Sequence, residues 1–189
     1  MGLRDVLSGR KKLPAPARER LFALTTAAVT LDTELGLKTA GVGAICFKPL
    51  SAGEFVRAQS DVEQLLDSIA GEYGAKLERR DDSLGFSWVI VRDPQLEDQV
   101  TTVHAVAQGL AEQGFGEQLL AAVFKFDGGE HPVYFVYGYK RGTFWPFIPT
   151  GKDQGRDNAK ELELKAKLEG ELPIEQDLTR WFGLFDAPL

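Results

Sequence analysis

The sequence predicts an α+β fold: an antiparallel sheet of about five strands with helices packed chiefly on one face. Three observations lead there. Two apolar runs, Leu119–Phe126 and Val133–Lys140, are joined by a connection rich in Gly, Asp and Pro, as in an antiparallel pair with a short loop. Lys76–Arg80 and Gly85–Arg92 flank Asp81-Asp82-Ser83-Leu84 and read as a second hairpin. Elsewhere apolar residues recur every three or four positions, so helices alternate with hairpins, an order that does not suit a parallel doubly wound sheet. The expected order is helix, strand, helix, two strands, helix, two strands, two helices.

The chain starts with Leu3, Val6 and Leu7 at helical spacing, followed by Arg10, Lys11 and Lys12. Such a segment fits either an anionic membrane interface or a terminus that docks on the core. Pro14 and Pro16 mark a boundary, which divides the chain into a basic amphipathic segment, 1–16, and one α+β domain, 17–189. From Ala17 to Leu37, Leu21, Leu24, Ala28, Leu31 and Leu35 suggest a helix, broken near Thr25-Thr26 and stopped by Gly36. Val29 and Thr30 keep a strand as the alternative there. Gly41–Lys48 is a short strand, with Cys46 expected as an inert core thiol.

Ser51-Ala52-Gly53-Glu54 is a capping box, and Phe55, Ala58, Val62, Leu65 and Ile69 continue a helical stripe. A repeat of the box at Ser60 and Glu63 suggests two pieces meeting near Gln59. In the hairpin strand that follows, Phe86, Trp88 and Ile90 share a face. Asp93-Pro94 starts a helix whose stripe is Leu96, Val100, Val103, Ala107 and Leu110. Val133–Lys140 is apolar on both alternating faces, as a strand covered from both sides would be, and is expected to be innermost. Asn158 and Glu161 form another capping box, with Glu161–Lys165 and Glu163–Lys167 as supporting pairs. Pro173 is expected to start a last helix carrying Leu178, Trp181 and Phe182.

Net charge is −6, which argues against a general nucleic-acid binder. Residues 1–20 hold six basic side chains against two acidic ones, leaving −10 to the rest. A single cysteine excludes an intrachain disulfide and a cysteine metal cage. No apolar run approaches the ~20 residues of a membrane span, and no secretory leader is evident. A cytoplasmic protein is expected, with peripheral contact at the inner face of the membrane through residues 1–12 as the alternative to a docked terminus.

Catalytic signatures fail one by one. His104 and His131 lie in different elements and no His-Glu-x-x-His or Cys-x-x-Cys pattern exists, so no metal is expected. There is no Gly-x-Ser-x-Gly, the Gly41-x-Gly43 pair lacks its third glycine, and Gly151-Lys152 has the wrong spacing for a phosphate loop. No cofactor is expected. One constellation survives: Lys140, Arg141, Lys152 and Arg156 bracket Phe144, Trp145 and Phe147. Aromatics beside Arg make interface hot spots, and Arg clasps a carboxylate at two points. The same aromatics also suit a lid over the open side of the sheet, with the charges only solvating its rim. Both readings stand.

Several stretches carry a resemblance. They are Met1-Gly2-Leu3 with Asp5-Val6-Leu7 and Gly9-Arg10, Leu21-Phe22-Ala23-Leu24 with Thr26-Ala27-Ala28-Val29-Thr30-Leu31, and Lys140-Arg141-Gly142-Thr143-Phe144 with Pro146-Phe147. Arg156-Asp157-Asn158, Gly170-Glu171-Leu172-Pro173 and Arg180-Trp181-Phe182 complete the set. Nearly end to end, the chain resembles the PspA-associated proteins of actinobacteria, the PspAB type. At position 145 the family pattern has Tyr where this chain has Trp, which keeps an aromatic. The resemblance implies a link to phage-shock protein A, a peripheral coat on stressed membranes, and to an HtpX-type membrane protease. It implies a non-catalytic adaptor in envelope stress, with no catalytic residue to carry over. The expected partner site is Lys140, Arg141, Phe144, Trp145, Phe147, Arg156 and Asn158. The rivals are an enzyme of unknown class with a cleft beside the loop 140–156, and an anionic-membrane sensor using Leu3, Val6, Leu7, Arg10, Lys11 and Lys12.

Overall fold

The computed structural model describes residues 19–48, 52–151 and 153–189, and the backbone alone over 52–60. The amphipathic positions Leu3 to Lys12, the Pro14/Pro16 boundary, the Ser51 cap and Lys152 lie outside the described residues, as do the side chains of Phe55, Ala58 and Ser60.

Among the described residues six strands form one antiparallel sheet: β1 (Lys38–Phe47), β2 (Lys76–Asp81), β3 (Ser87–Arg92), β4 (Leu119–Asp127), β5 (Val133–Gly138) and β6 (Thr143–Phe147), in the order β2-β3-β1-β4-β5-β6. The helices are α1 (Ala23–Thr26), α2 (Ala28–Thr33), α3 (Ala52–Tyr73), α4 (Leu96–Leu110) and α5 (Asn158–Leu168). The fold is α+β as the sequence predicts, with a sixth strand where five are expected. That strand is the aromatic stretch itself. Pro146 argues against a strand, yet proline is tolerated on a sheet edge, where its missing N–H faces outward. The middle of the sheet is β1 and β4, not β5. β5 is nevertheless apolar on both sides because both sides are covered.

Helix α4 lies on β1 and β3 and carries α3 and the turn Arg20–Phe22 on its back. Its stripe Leu96, Val100, Val103, Ala107 and Leu110 is buried, as its spacing requires. Gly43 lets the sheet approach: a methyl there would stand 3.3 Å from Val103 of α4. The N-terminal helical run breaks at Ala27, one residue beyond the expected Thr25-Thr26. α3 runs through Gln59 as one piece of 22 residues. At α5 the cap is Asp157, whose Oδ1 accepts from the Lys160 amide at 3.0 Å, and not Asn158. Glu163 and Lys167 pair at 2.8 Å as expected, whereas Glu161 turns inward.

No α-helix follows Pro173. Instead the Phe144 amide donates to the Pro173 carbonyl and the Glu175 amide to the Phe144 carbonyl, both at 2.8 Å. Pairing this segment with the β6 edge satisfies backbone groups that a helix would have left bare, so only the short turn Leu178–Arg180 remains helical.

Two glycines meet where α2 ends and β4 turns into β5. Gly36 (φ +65°) stops the helical run and Gly128 (φ +144°) starts the turn. A methyl on Gly128 would lie 2.0 Å from the Gly36 carbonyl oxygen. Gly128→Ala should therefore lower stability in urea unfolding by about 2–4 kcal/mol, from backbone strain and overpacking together. Gly85→Ala, also at positive φ but with nothing within 4 Å, should cost only about 1 kcal/mol.

Candidate functional site

Strand register sorts the residues by face. Cys46 pairs with Trp88 and with Ala121, Ala121 with Gly138, and Gly138 with Thr143, so these share one face with Trp145, two residues along β6. The opposite face, with Gly43, Ile45, Tyr137 and Phe144, is the one beneath α4. The face of Cys46 has no helix over its middle. It is covered by the chain beyond Trp181, whose Leu184, Phe185, Ala187 and Leu189 pack on the core.

That tail does not lie flush. Between it and the sheet is a half-open cavity of about 770 Å³. Cys46, Trp88, Ala121 and Trp145 line its sheet side, and Phe182, Leu184 and Phe185 its tail side. Phe86 and Leu84, from the β2–β3 turn, close one end. The tail is held by the Trp145 indole N–H, which donates to the Phe182 carbonyl at 3.1 Å, and by Phe185, whose ring stands edge-on to Phe147 with centroids 5.0 Å apart. Trp88 donates its indole N–H to Asp82 Oδ2 at 2.9 Å, and Asp82 Oδ1 accepts from the amides of Leu84 and Phe86, both at 2.9 Å. Burial pushes the Asp82 carboxyl up, but the Trp88 and backbone donors outweigh it and hold the group below the ordinary aspartate value. Burial, with Asp82 nearby, pushes the Cys46 thiol up to about 12, so it is the unreactive thiol the sequence suggests.

The rim carries charge. Arg141 and Arg180 flank Glu175, at 3.8 and 3.9 Å from its oxygens. Glu175 is itself buried and accepts from the Asp177 amide at 3.1 Å and the Thr143 hydroxyl at 3.2 Å. Lys140 is exposed beside them and makes no ion pair among the described residues.

The remaining residues of the expected partner site lie away from this rim. Arg156 reaches inward: its Nε donates to Glu161 Oε1 at 3.0 Å, a terminal nitrogen lies 2.9 Å from Oε2, and the other donates to the Trp181 carbonyl at 2.5 Å. Its guanidinium also stands over the Phe147 ring, 5.1 Å from the centroid. Glu161 Oε1 accepts in addition from the Ile148 amide at 2.8 Å. Phe144 is fully buried beneath the helices against Tyr137, with centroids 4.7 Å apart. Phe147 is buried on the tail side. Asn158 is exposed at the start of α5. The structure thus brings Lys140, Arg141 and Trp145 to one cavity and places Phe144, Phe147 and Arg156 in the interior. Asp82, Glu175, Arg180 and Phe182 join the cavity unannounced by the sequence reading. Only Asp82 carried a local signal, an Asp two residues before Leu84 in a turn.

Among the described residues no group of three or more His, Cys, Asp or Glu is placed to hold a metal ion. A family model described as PspA associated protein B matches residues 1–189, the whole chain. No curated protein and no solved structure matches it.

Two outcomes follow from the geometry. Glu161→Ala leaves Arg156 without its carboxylate and the Ile148 amide without an acceptor in the interior and should cost about 2–4 kcal/mol in urea unfolding, whereas Glu161→Gln, which keeps an acceptor, should cost less. Asp82 has a lowered carboxyl pKa in the folded state. Its contribution to stability is present above the unfolded value of about 3.9 and is lost as pH falls through the folded one. The stability gap between wild type and Asp82→Asn should accordingly be widest near neutrality and close in acid, as read from melting curves across pH.

Proposed function

The chain belongs to the PspA associated protein B family, and from that premise we propose that it is a non-catalytic accessory protein of the envelope, or phage-shock, stress response. It binds a PspA-like coat protein through the exposed part of residues 140–156, with Lys140 and Arg141 as the contacts and Trp145 as the apolar support beneath them. The observation that carries this reading is the pair of exposed cations at the mouth of an aromatic-lined cavity, in a chain that is −10 outside its first twenty residues. Arg next to a desolvated aromatic floor is the composition of an interface hot spot, and both cations favour an acidic surface on the partner.

A non-catalytic role is supported by the ionisable groups of the cavity. Cys46 and Asp82 are both held away from neutrality, in opposite directions, whereas a general acid or base works best near the operating pH. Among the described residues no helix is long and apolar enough to cross a membrane. The protein is proposed to reach the inner membrane face through its partner, and the HtpX-type protease is a second candidate for that contact.

The test is capture of the purified PspA-like protein by a Lys140→Gln/Arg141→Gln variant. Lys140 is exposed and Arg141 is half-exposed with a long ion pair to Glu175, so folding should change by no more than about 1 kcal/mol, while capture should weaken at least tenfold. Undiminished capture by the folded variant would end the reading. Trp145→Ala is a poorer probe, because Trp145 is a buried part of the core.

A further inference from the structure

We infer that the cavity between the tail and the sheet is a binding site for a single-chain anionic amphiphile, a long-chain carboxylate whose hydrocarbon lies between Phe86, Phe182 and Phe185, over the nearly closed floor of Trp88, Trp145 and Ala121, and whose charged end meets Lys140 and Arg141. The inference goes beyond partner binding. It concerns the chain alone, so its failure leaves the partner reading standing.

The side-chain donors on the sheet wall are already committed. Both indole N–H groups are spent on wall acceptors, Trp88 on Asp82 and Trp145 on the Phe182 carbonyl. The Thr143 hydroxyl donates to Glu175. A polar body placed inside would leave its own donors and acceptors unpaired, which selects hydrocarbon. The volume, about 770 Å³, falls within the roughly 300–1,000 Å³ of small-molecule pockets. The hollow is concave, so it suits an inserted chain and not a flat bilayer surface.

The mouth adds the sign of the charge. Of the acids that line it, Asp82 holds three donors and Glu175 is tied to the Asp177 amide and Thr143. Asp186, exposed on the tail, is the lining acid without such ties among the described residues. Two of the cations are less committed. Arg180 is held by Asp177 at 3.1 Å, but Arg141 stands from Glu175 at an ion-pair distance longer than a hydrogen bond, and Lys140 has no ionic partner among the described residues. A guanidinium fork with donors to spare clasps a carboxylate at two points.

The experiment titrates octanoate, decanoate and dodecanoate, each below its micelle-forming concentration, into the purified full chain. Tryptophan emission and calorimetry are the readouts. Saturable one-to-one binding is expected, tightening by up to roughly fourfold per added methylene. Decanoate should bind at least tenfold tighter than 1-decanol. Lys140→Gln should weaken decanoate several-fold and leave 1-decanol unchanged, and Ala121→Leu, which narrows the floor, should weaken both. Should Ala121→Leu fail to fold, the exposed Lys140 decides by itself. Equal affinity for decanoate and 1-decanol, or for decanoate and decylammonium, overturns the inference. So does an indifferent Lys140→Gln. No saturable binding by any of these probes would leave the hollow to an apolar side chain of a partner and likewise overturn it.

Discussion

A sheet edge is a row of unmet donors and acceptors, and the architecture of the second half of this protein is a response to one such edge. On β6 the outward-facing positions are Phe144, Pro146 and, just past the strand, Ile148. The Phe144 amide is taken by Pro173, Pro146 has no amide, and the Ile148 amide is taken by the Glu161 carboxylate. The Ile148 carbonyl accepts from Asp157. An edge closed this way offers no template to another strand. The closure explains much of what surrounds it: why 173–175 runs extended, why α5 starts at Asn158, and why Glu161 is buried on a helix that otherwise shows its charges to water. Arg156 neutralises that carboxylate and, by also holding the Trp181 carbonyl, passes the constraint on to the tail. A buried ion pair adds little over an apolar substitute, but this one is also a backbone acceptor and a tether, which an apolar pair could not be.

The two sides of the sheet are covered by different means. Helices interlock with strands at close range, and Gly43 beneath Val103 shows how tight that side is. The other side receives an irregular tail that presses down at Phe185 and Leu184 but cannot follow the sheet everywhere. What remains between them is the hollow, its ends set by the β2–β3 turn and the β5–β6 turn. The aromatic residues lining it are therefore core residues on one edge and surface residues on the other.

Much of the fold was legible because periodicity reports burial. The α4 stripe, the Asp82 turn and the covered character of β5 all follow from side-chain pattern. The errors share a cause. β6 and the 173–175 segment are shaped by pairing with each other across some thirty residues, and a long-range backbone partner leaves no local periodicity. Pro146 reads as a strand breaker until its place on an edge is known. Asn158 reads as a cap because the sequence does not reveal that its neighbour Asp157 is better aimed. At the site, type and spacing drew attention to Phe144, Trp145 and Phe147 together, but alternation within a strand sends Trp145 and Phe147 to one face and Phe144 to the other. Arg156 beside aromatics looks the same in sequence whether it greets a partner or braces a wall.

The order of the chain has a consequence for how the hollow comes into being. Every strand precedes residue 148, whereas the tail that roofs the cavity is written after residue 181. During synthesis the sheet can be complete and packed on its helices while Trp88, Ala121 and Cys46 still face water. A chain caught at that stage would offer a wetted aromatic floor, and the segment after residue 181 and a passing hydrocarbon would compete for the same ground.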